Sequence, residues 1–125
     1  MKRHALVWFT GVISQYNVSE HYNVKGLNLN KGILSRIRSK YDVTFLIYVK
    51  DEDEKNAYLH LLTTNKITNI PVVFASYETS FHEILYEFSM RYPDFILIDY
   101  SKKRLIDASR YLGRVDMMHI SSLLD

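Results

Sequence analysis

Short runs of apolar residues alternate along the chain with segments whose apolar residues recur at helical spacing. Five such runs are present, the last weaker than the others: Ala5–Phe9, Val43–Val49, Ile70–Ala75, Phe95–Ile98 and Val115–Ile120. They are apolar at almost every position and rich in β-branched and aromatic side chains, which is typical of strands buried on both faces of a parallel sheet. The pattern therefore predicts about five parallel strands.

Four helical segments lie between these runs, each with apolar residues three or four positions apart. The first covers Asn30–Lys40, and Asp51, Ser80 and Ser101 stand where the other three begin. These polar residues are predicted N-caps, and Ser80 with Glu83 has the spacing of a capping box. The strict alternation of strands and helices predicts a three-layer, doubly wound α/β fold with a mostly parallel sheet and right-handed crossovers.

The carboxyl ends of the predicted strands are the expected ligand-binding edge, as in other doubly wound sheets. The stretch Ser14–Leu29 interrupts the alternation, being polar with isolated apolar residues. It is predicted to form a flap or hairpin folded over these strand ends. With this insertion, residues 1–125 have the length of one domain.

Composition excludes several classes of protein. The chain has no cysteine, which excludes a disulfide scaffold, Cys-ligated zinc, iron–sulfur clusters and thiol catalysis. Its apolar runs are far shorter than the roughly 20 residues of a membrane helix, and no signal-peptide pattern follows the first residues. A cytoplasmic protein without membrane contact is therefore expected. Its richness in Ile, Tyr, Lys and Asn, whose codons are AT-rich, suggests a virus, a phage or an AT-rich bacterium.

Several segments resemble the motifs of one enzyme superfamily. Ala5–Ile13 is similar to a strand that runs into an Asp-x-Asp-Gly-Thr/Val motif, and Tyr92–Ser101 is similar to a strand that ends in Asp-Asp-Ser. Asn30–Leu34 with Lys40–Val43, and Leu105–Gly113, are similar to helices and a strand at matching places. In these features, over nearly its whole length, the chain resembles the haloacid dehalogenase-like (HAD-like) phosphohydrolases. The resemblance implies a HAD-like Rossmannoid sheet without a large cap domain.

The residues that carry this family's chemistry are mostly replaced. The resemblance places the nucleophilic Asp at Trp8, the acid/base Asp at Thr10 and the second carboxylate of the last motif at Tyr100, whereas Asp99 is retained. An indole can neither attack a phosphoryl group nor ligate Mg²⁺. No metal site is therefore expected, and Asp99 is the ligand if there is one.

Two further motif residues are also missing. The Ser or Thr expected at the end of the second strand falls near Tyr48, and the Lys expected before the third helix falls near Thr79. The resemblance thus implies the fold, while the replaced residues argue against the family's reaction.

The function that these observations favour is that of a catalytically inactive pseudo-phosphatase. Such a domain would act as a protein-interaction or regulatory module, without a cofactor, and bind a protein partner or further copies of itself. The candidate residues for a ligand or partner are Trp8, Thr10, Tyr48, Thr79, Asp99, Tyr100, Lys102, Lys103 and Arg104.

Two alternatives are open at this point. One is an atypical Mg²⁺-dependent phosphohydrolase or nucleotidase that relies on Asp99 and Thr10. The other is a nucleotide- or nucleic-acid-binding domain in which Trp8 and Tyr100 stack on bases and Lys102–Arg104 contact phosphates. The plain interpretation of these last residues is a solvated helix face, and that of Asp99 is a helix cap.

Overall fold

The computed structural model describes residues 2–14 and 29–112 with their side chains, and the backbone of residues 116–119. The elements are β1 (Arg3–Trp8), α1 (Phe9–Val12), α2 (Lys31–Lys40), β2 (Tyr41–Val49), α3 (Glu52–Thr64), β3 (Val72–Ser76), α4 (Phe81–Arg91), β4 (Ile96–Asp99), α5 (Lys102–Leu112) and β5 (Asp116–His119). Four of the helices have ten or more residues, whereas α1 is a four-residue turn in which Thr10 and Gly11 do not have helical dihedral angles. Within the described residues, no helix has the length and apolar character needed to span a membrane.

The strands form one parallel sheet in the order β3-β2-β1-β4-β5. Strands β1 to β4 carry described side chains, and the backbone of β5 pairs with β4 at the sheet's edge. The chain moves outward in one direction from β1 to β3 and then in the other direction from β4 to β5. This confirms the predicted doubly wound α/β fold and places a topological switch point between β1 and β4.

Two apolar cores lie on opposite faces of the sheet. Ala5 and Val7 of β1 belong to the first core, which α2 and α3 cover, and Leu6 between them belongs to the second, which α4 and α5 cover. Successive side chains of a strand point to opposite faces, so a strand between two helix layers must be apolar at every position. This is why the run Ala5–Phe9 lacks the alternation of a half-exposed strand.

Polar side chains cap the starts of α2 and α3, and at α3 the cap is the predicted Asp51. Asn30 Oδ1 accepts a hydrogen bond from the Ile33 amide at 3.0 Å. Asp51 Oδ1 accepts one from the Glu54 amide at 2.9 Å. Each bond satisfies one of the amides that have no partner inside the helix, so these helix starts follow from local sequence.

The other two predicted caps differ from each other. Ser101 Oγ accepts a hydrogen bond from the Arg104 amide at 3.3 Å, as expected. Ser80 occupies the N-cap position of α4, but its side chain makes no capping hydrogen bond. The predicted capping box of Ser80 and Glu83 is therefore wrong. Helix α4 forms without it because its apolar face is buried in the second core, and such packing supplies most of the stability of a helix.

The strand boundaries also differ from the ends of the predicted apolar runs, and β3 and β1 are examples. Pro71 precedes β3 rather than lying in it, and its carbonyl accepts a hydrogen bond from the Phe45 amide at 2.9 Å. Phe9 leaves β1 and begins the turn of α1, since the backbone bends there. A run of apolar residues marks burial and not hydrogen bonding, so it cannot fix where a strand ends.

The predicted flap falls largely on residues 15–28, which lie outside the described residues. Its two ends are described and lie side by side, because Ser14 and Leu29 form an isolated antiparallel bridge. The Asn30 amide also donates to the Ile13 carbonyl at 2.7 Å. The insertion therefore leaves and rejoins the domain at one place, beside the carboxyl end of β1.

Candidate functional site

The switch point lies where β1 ends at Trp8 and β4 ends at Asp99. The chain turns sharply after Trp8, and Gly11 has a φ of 94°. A Cβ atom at this position would lie 2.4 Å from two ring carbons of Tyr100. Glycine is required there for two reasons: it tolerates a positive φ, and it leaves room for the Tyr100 ring.

Asp99 is wholly buried, and both of its carboxylate oxygens accept hydrogen bonds from the surrounding protein. Oδ1 accepts hydrogen bonds from the Tyr100 amide at 2.6 Å and the Ser101 amide at 3.0 Å. The guanidinium of Arg104 donates from Nη2 to Oδ1 and from Nε to Oδ2, at 2.8 Å each. This two-pronged ion pair is a strong, directional contact that fastens the first turn of α5 to the end of β4.

Arg104 also lies over two aromatic rings. Its guanidinium carbon is 3.8 Å from the centre of the Trp8 ring and 4.9 Å from that of Tyr100. Burial alone would lower the pKa of Arg104, but hydrogen bonds to Asp99 and Tyr100 and the charge of Asp99 outweigh it and raise that pKa. The guanidinium is therefore a fixed positive charge at the switch point. It is held by the Asp99 carboxylate and by the faces of the Trp8 and Tyr100 rings.

Aromatic side chains extend from this point toward β2 and β3. The Trp8 ring lies 5.4 Å from the Tyr48 ring and 5.7 Å from the edge-on Phe81 ring, and Tyr48 stacks on Tyr77 at 6.1 Å. The Tyr48 hydroxyl donates to the Thr79 carbonyl at 3.3 Å. Burial raises the pKa of Tyr48, which therefore stays a neutral phenol at ordinary pH. We call Trp8, Tyr48, Tyr77 and Phe81 the aromatic cluster.

Thr10 faces the other side of the sheet. Its side chain forms a hydrogen bond with the hydroxyl of Tyr58, a buried residue of α3. Burial raises the pKa of Tyr58, and the bond to Thr10 offsets only part of that effect. Tyr58 is not among the residues that the sequence marks as candidates for the site, although its spacing of three and four residues from Leu61 and Leu62 places it on the buried face of α3.

The structure thus brings together most, but not all, of the predicted site residues. Trp8, Tyr48, Asp99, Tyr100 and Arg104 meet at the carboxyl edge of the sheet, and Thr79 joins them through its carbonyl. By contrast, Lys102 and Lys103 lie exposed on the first turn of α5.

The candidate metal ligand is Asp99, and its surroundings decide what it can do. A magnesium ion takes carboxylate oxygens, and both oxygens of Asp99 already accept hydrogen bonds from a cation or from backbone amides. Among the described residues, no group of three or more His, Asp or Glu side chains is placed to hold a metal ion. The arrangement at Asp99 is that of a neutralised structural carboxylate.

Known structures include one with a clear likeness to this chain. It is the D,D-heptose 1,7-bisphosphate phosphatase from Burkholderia thailandensis, with a TM-score of 0.56 over 88% of this chain and 74% of that protein. This chain has a HAD-like fold. The two sequences are 14% identical, so the likeness concerns the HAD-like fold and not the reaction. No protein-family model matches the chain, and no curated protein matches it.

Proposed function

We propose that this HAD-like domain is a catalytically inactive pseudo-phosphatase that acts as a protein-interaction or regulatory module. The observation that carries the proposal is the placement of Arg104 between the Asp99 carboxylate and the Trp8 ring. These residues occupy the switch point, where ligands of doubly wound sheets bind.

Phosphoryl transfer needs an in-line nucleophile, a metal cation and donors that neutralise the phosphoryl oxygens. Trp8 stands at the end of β1, where the family's nucleophile is expected, and an indole cannot form a phosphoryl ester there. Arg104 supplies to Asp99 the positive charge that a magnesium ion would otherwise bring. A metal would have to displace this guanidinium, which is also held by two aromatic rings.

The interaction role is supported by large side chains that remain exposed. Tyr77 and Met90 are 70% and 69% exposed, and Tyr86, Ile106 and Tyr111 are each about half exposed. Tyrosine and methionine are enriched in protein interfaces, since they bury much apolar area on binding. A protein partner, or another copy of this chain, is therefore the proposed ligand.

The test of inactivity is a thermal-shift titration with Mg²⁺ and inorganic phosphate, together with a phosphomonoester turnover assay. We expect no Mg²⁺-dependent shift and no turnover above that of buffer. Asp99→Asn, accepted only if its circular dichroism matches that of the wild type, is the control. Mg²⁺-dependent turnover by the wild type that is lost in Asp99→Asn would overturn the proposal in favour of an atypical phosphohydrolase.

The interaction role is tested first for self-association by sedimentation velocity over a range of protein concentrations. The double variant Tyr86→Ser, Met90→Ser removes two exposed side chains of α4, and Tyr77→Ser is the matched change at the aromatic cluster. Association that only the α4 variant weakens supports a module assembled from copies. A monomer at every concentration leaves a different protein as the partner.

A further inference from the structure

The amino ends of the strands form a second surface, at the edge opposite the aromatic cluster. A cleft of about 590 Å³ lies between residues 2–4 and residues 91–95. A second, of about 310 Å³, continues past the starts of β2 and β3 and shares Lys2, His4 and Tyr92 with the first. A third, of about 570 Å³, reaches α2 and shares Lys2 and Arg38 with the second. We call these three the amino-edge clefts.

Positive charge is concentrated along these clefts. Of the charged residues that line them, six are Lys or Arg and two are acidic: Lys2, Arg3, Lys31, Arg38, Lys66 and Arg91, against Asp42 and Asp94. The whole chain has sixteen Lys and Arg against fourteen Asp and Glu, so the rest of it is left with ten basic and twelve acidic residues. The net charge of +2 thus conceals a basic edge on an otherwise slightly acidic protein, which is the electrostatic footprint of a polyanion site.

Aromatic side chains lie among these cations. Tyr92 lines two of the clefts and stacks on His4 with a ring separation of 3.6 Å, while Phe88 supports it at 5.0 Å. Tyr41 lines the second cleft. A positively charged groove with aromatic rings beside it is the usual platform for single-stranded nucleic acid, whose bases stack while its phosphates meet Lys and Arg.

The shape of the surface favours a polymer over a small ligand. The clefts are open and share lining residues, and the first two run along the amino ends of four adjacent strands, β4, β1, β2 and β3. Neighbouring strands lie about 4.8 Å apart, so the surface extends over roughly 15 Å, which accommodates several phosphates of one strand.

We propose that the amino-edge clefts bind a short segment of single-stranded nucleic acid. Arg38 and Arg91 contact the phosphates and Tyr92 stacks on a base. This site lies at the opposite end of the sheet from the switch point. It does not depend on the proposed pseudo-phosphatase function, and the two can fail separately.

The experiment is a fluorescence-anisotropy titration of labelled single-stranded DNA and RNA of about 12 nucleotides, a length within the range of known single-strand sites. The salt concentration is varied, because phosphate contacts release counterions and make the affinity fall with salt. Lys2 and Arg3 donate to the carbonyls of Arg38 and Asp94, so the test variant changes Arg38→Glu and Arg91→Glu, whose side chains are exposed. The matched control, Lys50→Glu with Arg110→Glu, makes the same change of net charge at exposed positions outside the clefts.

We expect the Arg38→Glu, Arg91→Glu variant to bind about tenfold more weakly or worse, and the control to bind within about threefold of the wild type. The slope of log affinity against log salt should fall by about 1.4 in the test variant, because each single-strand phosphate contact contributes about 0.7. Tyr92→Leu should weaken binding with little change of that slope. Tyr92→Phe, which keeps an aromatic ring, should bind with the wild-type affinity. Circular dichroism and the thermal midpoint check that every variant is folded.

Three results would overturn the proposal. The first is no binding by the wild type at low salt. The second is an equal loss of affinity in both double variants, which would make the effect one of net charge alone. The third is displacement of the oligonucleotide by a mononucleotide or inorganic phosphate at similar concentration, which would assign the clefts to a small anion instead.

Discussion

Both carboxylate oxygens of Asp99 accept a hydrogen bond from the guanidinium of Arg104, each at 2.8 Å. The pair joins the last residue of β4 to the first turn of α5. It lies at the switch point, where the order in which the chain adds strands to the sheet reverses. The Asp99 side chain has no exposed surface and that of Arg104 is 28% exposed. The pair therefore neutralises, inside the protein, a carboxylate that would otherwise be buried with its charge uncompensated.

Arg104→Met should lower the free energy of unfolding by about 3 kcal/mol at neutral pH, because it leaves the Asp99 carboxylate buried without a cation. Urea denaturation measures the loss. The free energy of unfolding of Arg104→Lys should lie between those of the wild type and Arg104→Met, since a lysine keeps the charge but not the two-pronged geometry. Lys103→Met, an exposed position on the same helix, should stay within about 0.5 kcal/mol of the wild type. Equal losses at positions 103 and 104 would mean that the ion pair adds nothing.

Gly11→Ala should destabilise the protein by about 2 kcal/mol or more. The φ of 94° is unfavourable for alanine, and the new methyl group would meet the Tyr100 ring at 2.4 Å. Gly32→Ala is the matched change, because among the described residues a Cβ there meets only Asn30 Oδ1, at 3.5 Å. That variant lies in α2 and should be about 0.5 kcal/mol more stable than the wild type. The thermal midpoint should therefore fall in Gly11→Ala and rise in Gly32→Ala.

Asp51→Ala should cost about 1 kcal/mol of folding stability, because it removes the acceptor for the Glu54 amide at the start of α3. Ser80→Ala should cost much less, although both residues occupy N-cap positions, since the Ser80 side chain makes no capping bond. Chemical denaturation of the two variants compares them directly. A Ser80→Ala loss as large as that of Asp51→Ala would show that Ser80 caps α4 after all.

Stability should fall at alkaline pH, and Tyr58 should contribute to the fall. Burial raises the pKa of Tyr58 above 10.0 in the folded protein, so above that pH the unfolded chain loses the phenol proton before the folded one does. Its contribution is complete below pH 10.0 and is lost as the pH rises toward the folded pKa. Tyr58→Phe should be about 1 kcal/mol less stable at neutral pH, having lost the bond to Thr10, and this gap should narrow above pH 10.0.

The control for this pH dependence is Tyr86→Phe, at an exposed position of α4. Its free energy of unfolding, measured in urea between neutral pH and about pH 11, should follow the wild-type profile. A gap between the wild type and Tyr58→Phe that stays constant over the whole range would contradict the role given to Tyr58.

The layered fold could be predicted from the sequence because its causes are local or periodic. Strands between two helix layers must be apolar throughout, and Asn30, Asp51 and Ser101 cap the helices that follow them. Ser80 has the same local pattern and does not cap, because burial of α4 decides the start of that helix. Local chemistry was sufficient only where no tertiary contact opposed it.

The centre of the candidate site could be predicted only in part. The motif resemblance located Trp8, Asp99 and Tyr100 at one edge, and the structure places them together. Arg104 was expected on a solvated helix face or against phosphates, and it is instead paired with Asp99. Its neighbour Trp8 is 96 positions away in the chain, so no local pattern could indicate this contact.

The central position of β1 has a consequence for the growing chain on the ribosome. β1 is synthesised first, and its neighbours β2 and β4 follow roughly forty and ninety residues later. The half built from β1, α2, β2, α3 and β3 can form much of the first core, but Ile96 and Ile98 of β4 are missing from it, and one edge of β1 and the face carrying Leu6 stay uncovered. An unpaired strand edge is a template for pairing with other chains. Until β4 is synthesised, this uncovered edge of β1 is therefore where partly made copies are most prone to pair with one another.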